Sequence, residues 1–329
     1  MPITPLQTTH LQRMKFSCGS SLRRRHLADR WLLALLAALL LAACNTAPRQ
    51  AEVVTPTLSL LPPQVVVARP PPKIAPALGG GAARGFAHIG VIKALEAQGI
   101  VPDIIVGTSA GAVVGALYAA GNNGFELQKL AIQLEEEQVS DWSMPNRGFL
   151  KGEALQDFLN RAVKQSPLEK LPRLFAVVAT DLHSGEMVVF RTGNTGMAVR
   201  ASSAVPGVFQ PVTINGHEYV DGGLVSPVPV RVARSLGADF VIAVNISNVP
   251  QNNKTESSIE VMLQTFAIMG QTISRQELTN ADVVIRPITQ EIGATNFKDR
   301  HLAVLEGEKA VAAILPELKA KLAKLRETP

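Results

Sequence analysis

Ser109 stands in Gly107-Thr108-Ser109-Ala110-Gly111, a Gly-x-Ser-x-Gly pattern. A serine hydroxyl becomes a useful nucleophile when a sharp turn projects it from the backbone, a base can take its proton and fixed donors can hold the oxyanion that forms. The flanking residues are of the right kind for such a turn. An apolar β-branched run ends at Gly107, and the small-residue stretch Ala110 to Ala120, helical in character, begins directly after the serine. Strand, turn and helix in that order are the sequence form of a nucleophile elbow. Neighbouring chains approach closely in so tight a turn, so Gly107 and Gly111 have a steric reason to lack side chains. At the start of the helix, unpaired N–H groups favour developing negative charge. A turn that merely contains a serine has the same five-residue pattern, so the strand before it and the helix after it carry the reading.

Two further stretches supply the missing parts. Ile74 to Leu78 is a short apolar run that leads into Gly79-Gly80-Gly81-Ala82-Ala83-Arg84-Gly85, after which Phe86, Ile89, Ile92 and Leu95 keep helical spacing to Gln98. Neither phosphate-cradle pattern fits: Arg84 occupies the third glycine position of Gly-x-Gly-x-x-Gly, and Phe86 follows Gly85 where the Walker pattern requires lysine. The alternative is an oxyanion hole built from the N–H groups of Gly80, Gly81 and Ala82. Consecutive strand–helix units place this loop and the elbow at the same end of a parallel sheet. The third stretch is Asp221-Gly222-Gly223, preceded by a segment in which Asn215-Gly216 marks a two-residue hairpin. The hairpin delivers Asp221 at a strand end with glycines behind it. A turn aspartate bonded to its own backbone would look the same in isolation.

Taken together, Gly80-Gly81-Ala82-Ala83-Arg84-Gly85, Gly107-Thr108-Ser109-Ala110-Gly111 and Asp221-Gly222-Gly223 resemble the three signatures of the patatin-like phospholipase family. Arg200-Ala-Ser-Ser-Ala-Val-Pro-Gly-Val-Phe209 resembles the segment that precedes the family's aspartate, and the likeness runs from about Ile74 to Ile246. The resemblance implies an α/β fold with a mostly parallel central sheet flanked by helices on both faces. It also implies a Ser109/Asp221 dyad without histidine, lipid acyl ester hydrolysis and no cofactor. Of the histidines beyond the N-terminal region, His88, His183, His217 and His301, only His301 follows both Ser109 and Asp221 as a Ser–Asp–His order demands. The chain departs from the family pattern at Ala82, where the third consecutive glycine is expected; the alanine costs energy if the position requires a positive φ. An aspartate of ordinary pKa, roughly 3.9, is a poor base toward serine. Asp221 is therefore expected to be buried and in hydrogen-bond contact with Ser109. Arg84 either supports the glycine loop or meets a phosphate.

Charge and composition place these parts in a longer chain. The net charge of +5 in 329 residues has a local origin: six of the 32 basic residues but one of the 27 acidic ones lie within residues 1–43, so the remainder is formally neutral. No electrostatic footprint for nucleic acid follows. Arg23 to Arg30 precede the apolar run Trp31 to Ala43, too short to span a bilayer and suited to a signal peptide. The run closes on Leu41-Ala42-Ala43-Cys44, which resembles the lipobox of bacterial lipoproteins, with Cys44 as the lipidated residue; Asn45 after it points to the outer membrane, facing the periplasm. The signal is complete from Met14 onward. Residues 45–73 hold seven prolines and no apolar period, a tether.

The expected organisation is thus a signal peptide over 1–43, a tether over 44–73, a hydrolase core over 74–290 and a helical C-terminal extension over 291–329 packed on that core. Within it, helices are expected over Phe125 to Gln138, Gly152 to Lys164, Pro229 to Leu236 and Ile259 to Leu278. Strands are expected over Leu174 to Thr180, Met187 to Phe190, Phe240 to Val244 and Val283 to Ile285. Trp142 to Pro145 with Gly148 to Leu150 reads as ordinary packing or as a lid. His301 to Leu325 reads as helix broken at Pro316. No cluster has metal-ligand spacing. Besides the lipid acyl hydrolase, two readings stay open: hydrolysis of another acyl substrate, and a non-catalytic lipidated binding or assembly protein on the same fold.

Overall fold

The structure, a computed structural model, describes residues 70–136, 139–141, 147–247, 250, 255–293 and 297–327. The signal peptide, Cys44, most of the tether and the segment Trp142 to Pro145 lie outside the described residues.

Eight strands form one sheet: β1 (Ile74–Leu78), β2 (Ile104–Thr108), β3 (Leu174–Asp181), β4 (Met187–Phe190), β5 (Val212–Ile214), β6 (His217–Asp221), β7 (Phe240–Val244) and β8 (Val283–Ile285). The order is β5-β6-β3-β2-β1-β7-β8, with β4 on β3. Strands β1, β2, β3, β7 and β8 pair in parallel, whereas β4, β5 and β6 pair antiparallel. β1, β2 and β7 are buried throughout. Such continuous apolar runs mark parallel strands covered on both faces.

Alternation along these strands divides the core in two. Ile74, Leu78, Ile105, Phe175, Phe240, Ile242 and Val244 face one side, under α1 (Phe86–Glu96), α2 (Ala110–Ala119) and the C-terminal α8 (Arg300–Glu327). Ala75, Ala77, Ile104, Val106, Ala176, Val241 and Ala243 face the other, under α6 (Val230–Ser235) and the C-terminal end of α7 (Ser258–Leu278). The remaining helices are α3 (Gly124–Gln133), α4 (Glu153–Ala162) and α5 (Thr195–Ser202). Helices α1 and α8 nearly touch: a Cβ on Gly90 would lie 1.9 Å from the Val304 oxygen and one on Gly307 2.1 Å from the Ala87 oxygen.

The expected elements are present, with three differences. The helix expected to Gln138 stops at Gln133, with Leu134 already extended. α8 runs unbroken through Pro316. Proline removes one intrahelical hydrogen bond, but Val311 before it and Leu318 and Leu322 after it are all buried and hold both halves in line. Gly148 to Leu150 is packing rather than a lid: Phe149 and Leu150 donate to the Val208 carbonyl, and Gln210 donates back to Leu150.

The topology at β3 positions the chemistry. Val177 and Val178 pair with β2 on one edge and with β4 on the other, while Ala179 and Thr180 pair with β4 and with β6. A residue has two edges, so β2 and β6 share the same edge of β3, end to end. Thr108 is level with Val178 and Asp221 with Ala179. The two chains run into each other at adjacent register positions, and both must turn away.

Candidate active site

β2 escapes the collision through the elbow. Ser109 adopts φ 53°, ψ −123° and caps α2, a conformation rarely adopted by residues other than glycine and a local store of strain. The turn closes on itself: a Cβ on Gly107 would lie 2.5 Å from Ala112 Cα, and one on Gly111 2.1 Å from the Leu78 oxygen. Two bonds hold the serine. Its N–H donates to Ser202 Oγ at 2.8 Å, whose hydroxyl donates to the Val178 carbonyl at 2.5 Å. Thr108 Oγ1 donates to the Ser226 carbonyl at 2.8 Å.

β6 escapes through a 3₁₀ turn over Gly222–Leu224. A Cβ on Gly222 would lie 2.2 Å from the Val178 oxygen, so only glycine lets the chain pass β3. Gly223 N–H donates to Asp221 Oδ1 at 2.7 Å, and Thr180 Oγ1 donates to the Asp221 carbonyl at 2.8 Å. The Ser109 and Asp221 side chains line one cavity. Both residues are buried, at 9% and 7% exposure. Burial raises the Asp221 pKa to about 6, against the opposing effect of the bonds from Ser109 and Gly223. A carboxylate with that pKa is a better base than an ordinary aspartate and is still ionised at neutral pH.

The glycine loop stands beside them. A Cβ on Gly80 would lie 3.2 Å from Ser109 Cβ, and Gly85 packs against Ala110. Of the three amides expected to face an oxyanion, Gly80 must be withdrawn, because its N–H already donates to the Pro227 carbonyl at 3.0 Å. Gly81 and Ala82 have no protein acceptor among the described residues. Ala82 has φ 53°, so the position does need the left-handed conformation, at a cost of roughly 1 kcal/mol or more for alanine. Arg84 lines a cavity with Ser109 and Asp221; its Nε is buried without a hydrogen-bond partner among the described residues, and burial lowers its pKa.

No histidine among the described residues lines this cavity. His88 is fully buried with Nε2 2.8 Å from the Gly79 carbonyl, and burial lowers its pKa to about 4. A carbonyl only accepts, so the neutral imidazole donates through Nε2–H and fastens the start of the glycine loop. His183 and His217 are exposed and meet Glu218 and Asp181; His301 is exposed on α8. Among the described residues no group of His, Cys, Asp and Glu could hold a metal ion. None of the helices among them is long and apolar enough to cross a membrane.

The cavity measures about 530 Å³ and is lined mainly by apolar surface. Gly81, Ala82, Ser109 and Asp221 form one wall, and Leu263, Phe266 and Ala267 of α7 another. α7 is buried only at Gly270, Ser274 and Glu277. Sequence reasoning missed Ser202, Ser226 and Glu277. Only Ser202 had a signal, its place in the Arg200 to Phe209 segment.

A model of the patatin-like phospholipases matches residues 77–234. An uncharacterized NTE family protein of Mycobacterium tuberculosis is 40% identical over 179 residues, 54% of this chain and 49% of that protein. Patatin-like phospholipase domain-containing protein 6 of Mus musculus is 35% identical over 183 residues, 53% of this chain and 14% of that one. The chain thus spans about half, or less, of the length of these curated relatives. The crystal structure of VipD from Legionella pneumophila aligns with a TM-score of 0.50 and 15% identity, over 76% of this chain and 68% of that chain, a likeness of fold.

Proposed function

We propose, for a chain that belongs to the patatin-like phospholipase family, that it hydrolyses the acyl esters of lipids with Ser109 as nucleophile and Asp221 as general base. The observation that carries the reading is that Ser109 and a buried Asp221 carboxyl group, its pKa raised to about 6, line one cavity beside the glycine loop. Ser109 Oγ attacks the ester carbonyl as Asp221 takes its proton, and the N–H groups of Gly81 and Ala82 hold the oxyanion. Asp221 returns the proton to the leaving alkoxide. Water, deprotonated by the same carboxylate, then cleaves the acyl-enzyme and releases the fatty acid. The apolar wall from Leu263, Phe266 and Ala267 suits an acyl chain, and the Arg84 guanidinium suits a phosphodiester. The Cys44 lipobox supports a lipid anchor on the periplasmic side of the outer membrane.

The full chain, incubated with phospholipids, lysophospholipids and short acyl esters, is expected to release fatty acid and to react with a fluorophosphonate at Ser109. Folded protein that forms no Ser109 adduct and cleaves nothing contradicts the reading and favours a binding or assembly role; cleavage confined to thioesters or peptides redirects the substrate class. Cys44→Ala is expected to move the protein from the membrane to the soluble fraction, and retention there contradicts the anchor.

A further inference from the structure

A backbone oxyanion hole and a nucleophile on different strand–helix units work only if their separation is fixed to a fraction of an ångström. Here the fixing segment is Ser226-Pro227. The Pro227 carbonyl accepts from Gly80 N–H at 3.0 Å, the Ser226 carbonyl accepts from Thr108 Oγ1 at 2.8 Å, and Ser226 N–H donates to the Gly222 carbonyl at 2.9 Å. The glycine loop, the elbow and the aspartate turn therefore all hang on two consecutive residues.

That segment is gripped from behind by one side chain. Glu277, at 1% exposure on α7, accepts from Ser226 Oγ at 2.8 and 2.9 Å and from Arg231 Nε at 3.3 Å. Ser226 is itself fully buried. A buried carboxylate is expensive unless it is matched by donors, and the nearer of its two donors, Ser226 Oγ, belongs to the segment that sets the site.

We propose that Glu277 is a positioning residue: by clamping Ser226 it sets the distance between the Ser109 hydroxyl and the amides of Gly81 and Ala82. The assignment rests on the reading of Ser109 as nucleophile. Glu277→Gln keeps the shape but points an amide donor at other donors; Ser226→Ala removes one arm of the clamp; Thr108→Val removes the link from the clamped segment to the elbow.

The test measures, in the full-length protein, the rate of fluorophosphonate labelling at Ser109 and kcat and KM for a soluble p-nitrophenyl ester, with Tm as a control. Glu277→Gln is expected to lower labelling rate and kcat about tenfold or more with KM within about twofold. Ser226→Ala is expected to lose less, about threefold. Glu277→Gln combined with Thr108→Val is expected to be no slower than the worse single variant, since both act through Ser226. Where Glu277→Gln does not fold, Ser226→Ala and Thr108→Val carry the test. Wild-type labelling and kcat per folded molecule, with only Tm lowered, would overturn the assignment. Wild-type protein that is folded but never labelled at Ser109 would instead overturn the nucleophile reading beneath it.

Discussion

Where β2 and β6 meet, the chain holds a serine and an alanine at positive φ and a carboxylate out of water. Across the flank where α1 meets α8, the contacts are Gly90 and Gly307 at close approach and buried Leu95, Val311, Leu318 and Leu322. The first region carries strain and desolvation that the rest of the molecule must offset, and the second supplies apolar burial with no chemistry in it. A region that performs a reaction is thus expected to become more stable when its chemistry is removed, whereas a region that only packs is expected to lose stability and leave the reaction alone.

The largest expected effect is on the first side. Asp221→Asn should lower turnover by about 10²- to 10⁴-fold and, at pH 7, raise stability. The sign follows from the proton. Asp221 binds it more tightly in the folded chain than in the unfolded one, so wild-type stability falls as pH rises from about 4 to about 6. Removing the carboxylate restores up to about 3 kcal/mol above that window and close to nothing below it. Denaturant unfolding of both proteins at several pH values checks this; a gap that does not close in acid breaks the comparison.

On the second side, Leu318→Ala should cost about 2–5 kcal/mol while kcat, measured well below its Tm, stays within about twofold of wild type. A fall in kcat together with stability would mean that the flank is coupled to the site.

The smallest effect sharpens the comparison within the glycine loop. Ala82→Gly relieves the left-handed strain but frees the unfolded chain. The two nearly cancel, so stability should change by less than about 1 kcal/mol, with ester turnover equal to or above that of wild type. A large loss of turnover would show that the alanine methyl group has a role in the site.

Much of this was legible in the sequence because it is local. Ile74 to Leu78 and Phe240 to Val244 are apolar runs of strand length between turn residues, and Asn215-Gly216 fixes its hairpin. The glycine-serine-aspartate signatures are spacing patterns too. What escaped depends on partners far along the chain. The engagement of Gly80 N–H by Pro227, the burial of Glu277 behind Ser226, and the end-to-end meeting of β2 and β6 on one edge of β3 have no signature in a window of residues. Glu277 lies in Arg-Gln-Glu-Leu, which reads as an exposed helix face. Helix α5 is short and made largely of small residues, and Pro316 lies within a helix held by tertiary contacts that no propensity scale contains.

The pH dependence of Ser109 acylation by a fluorophosphonate, in wild type and in Asp221→Asn, tests the central assignment most directly. The account predicts a rate that rises with pH through a midpoint of about 6, confined to Ser109 and abolished in Asp221→Asn. A midpoint that survives the substitution, or its disappearance in a histidine variant instead, would contradict Asp221 as the base.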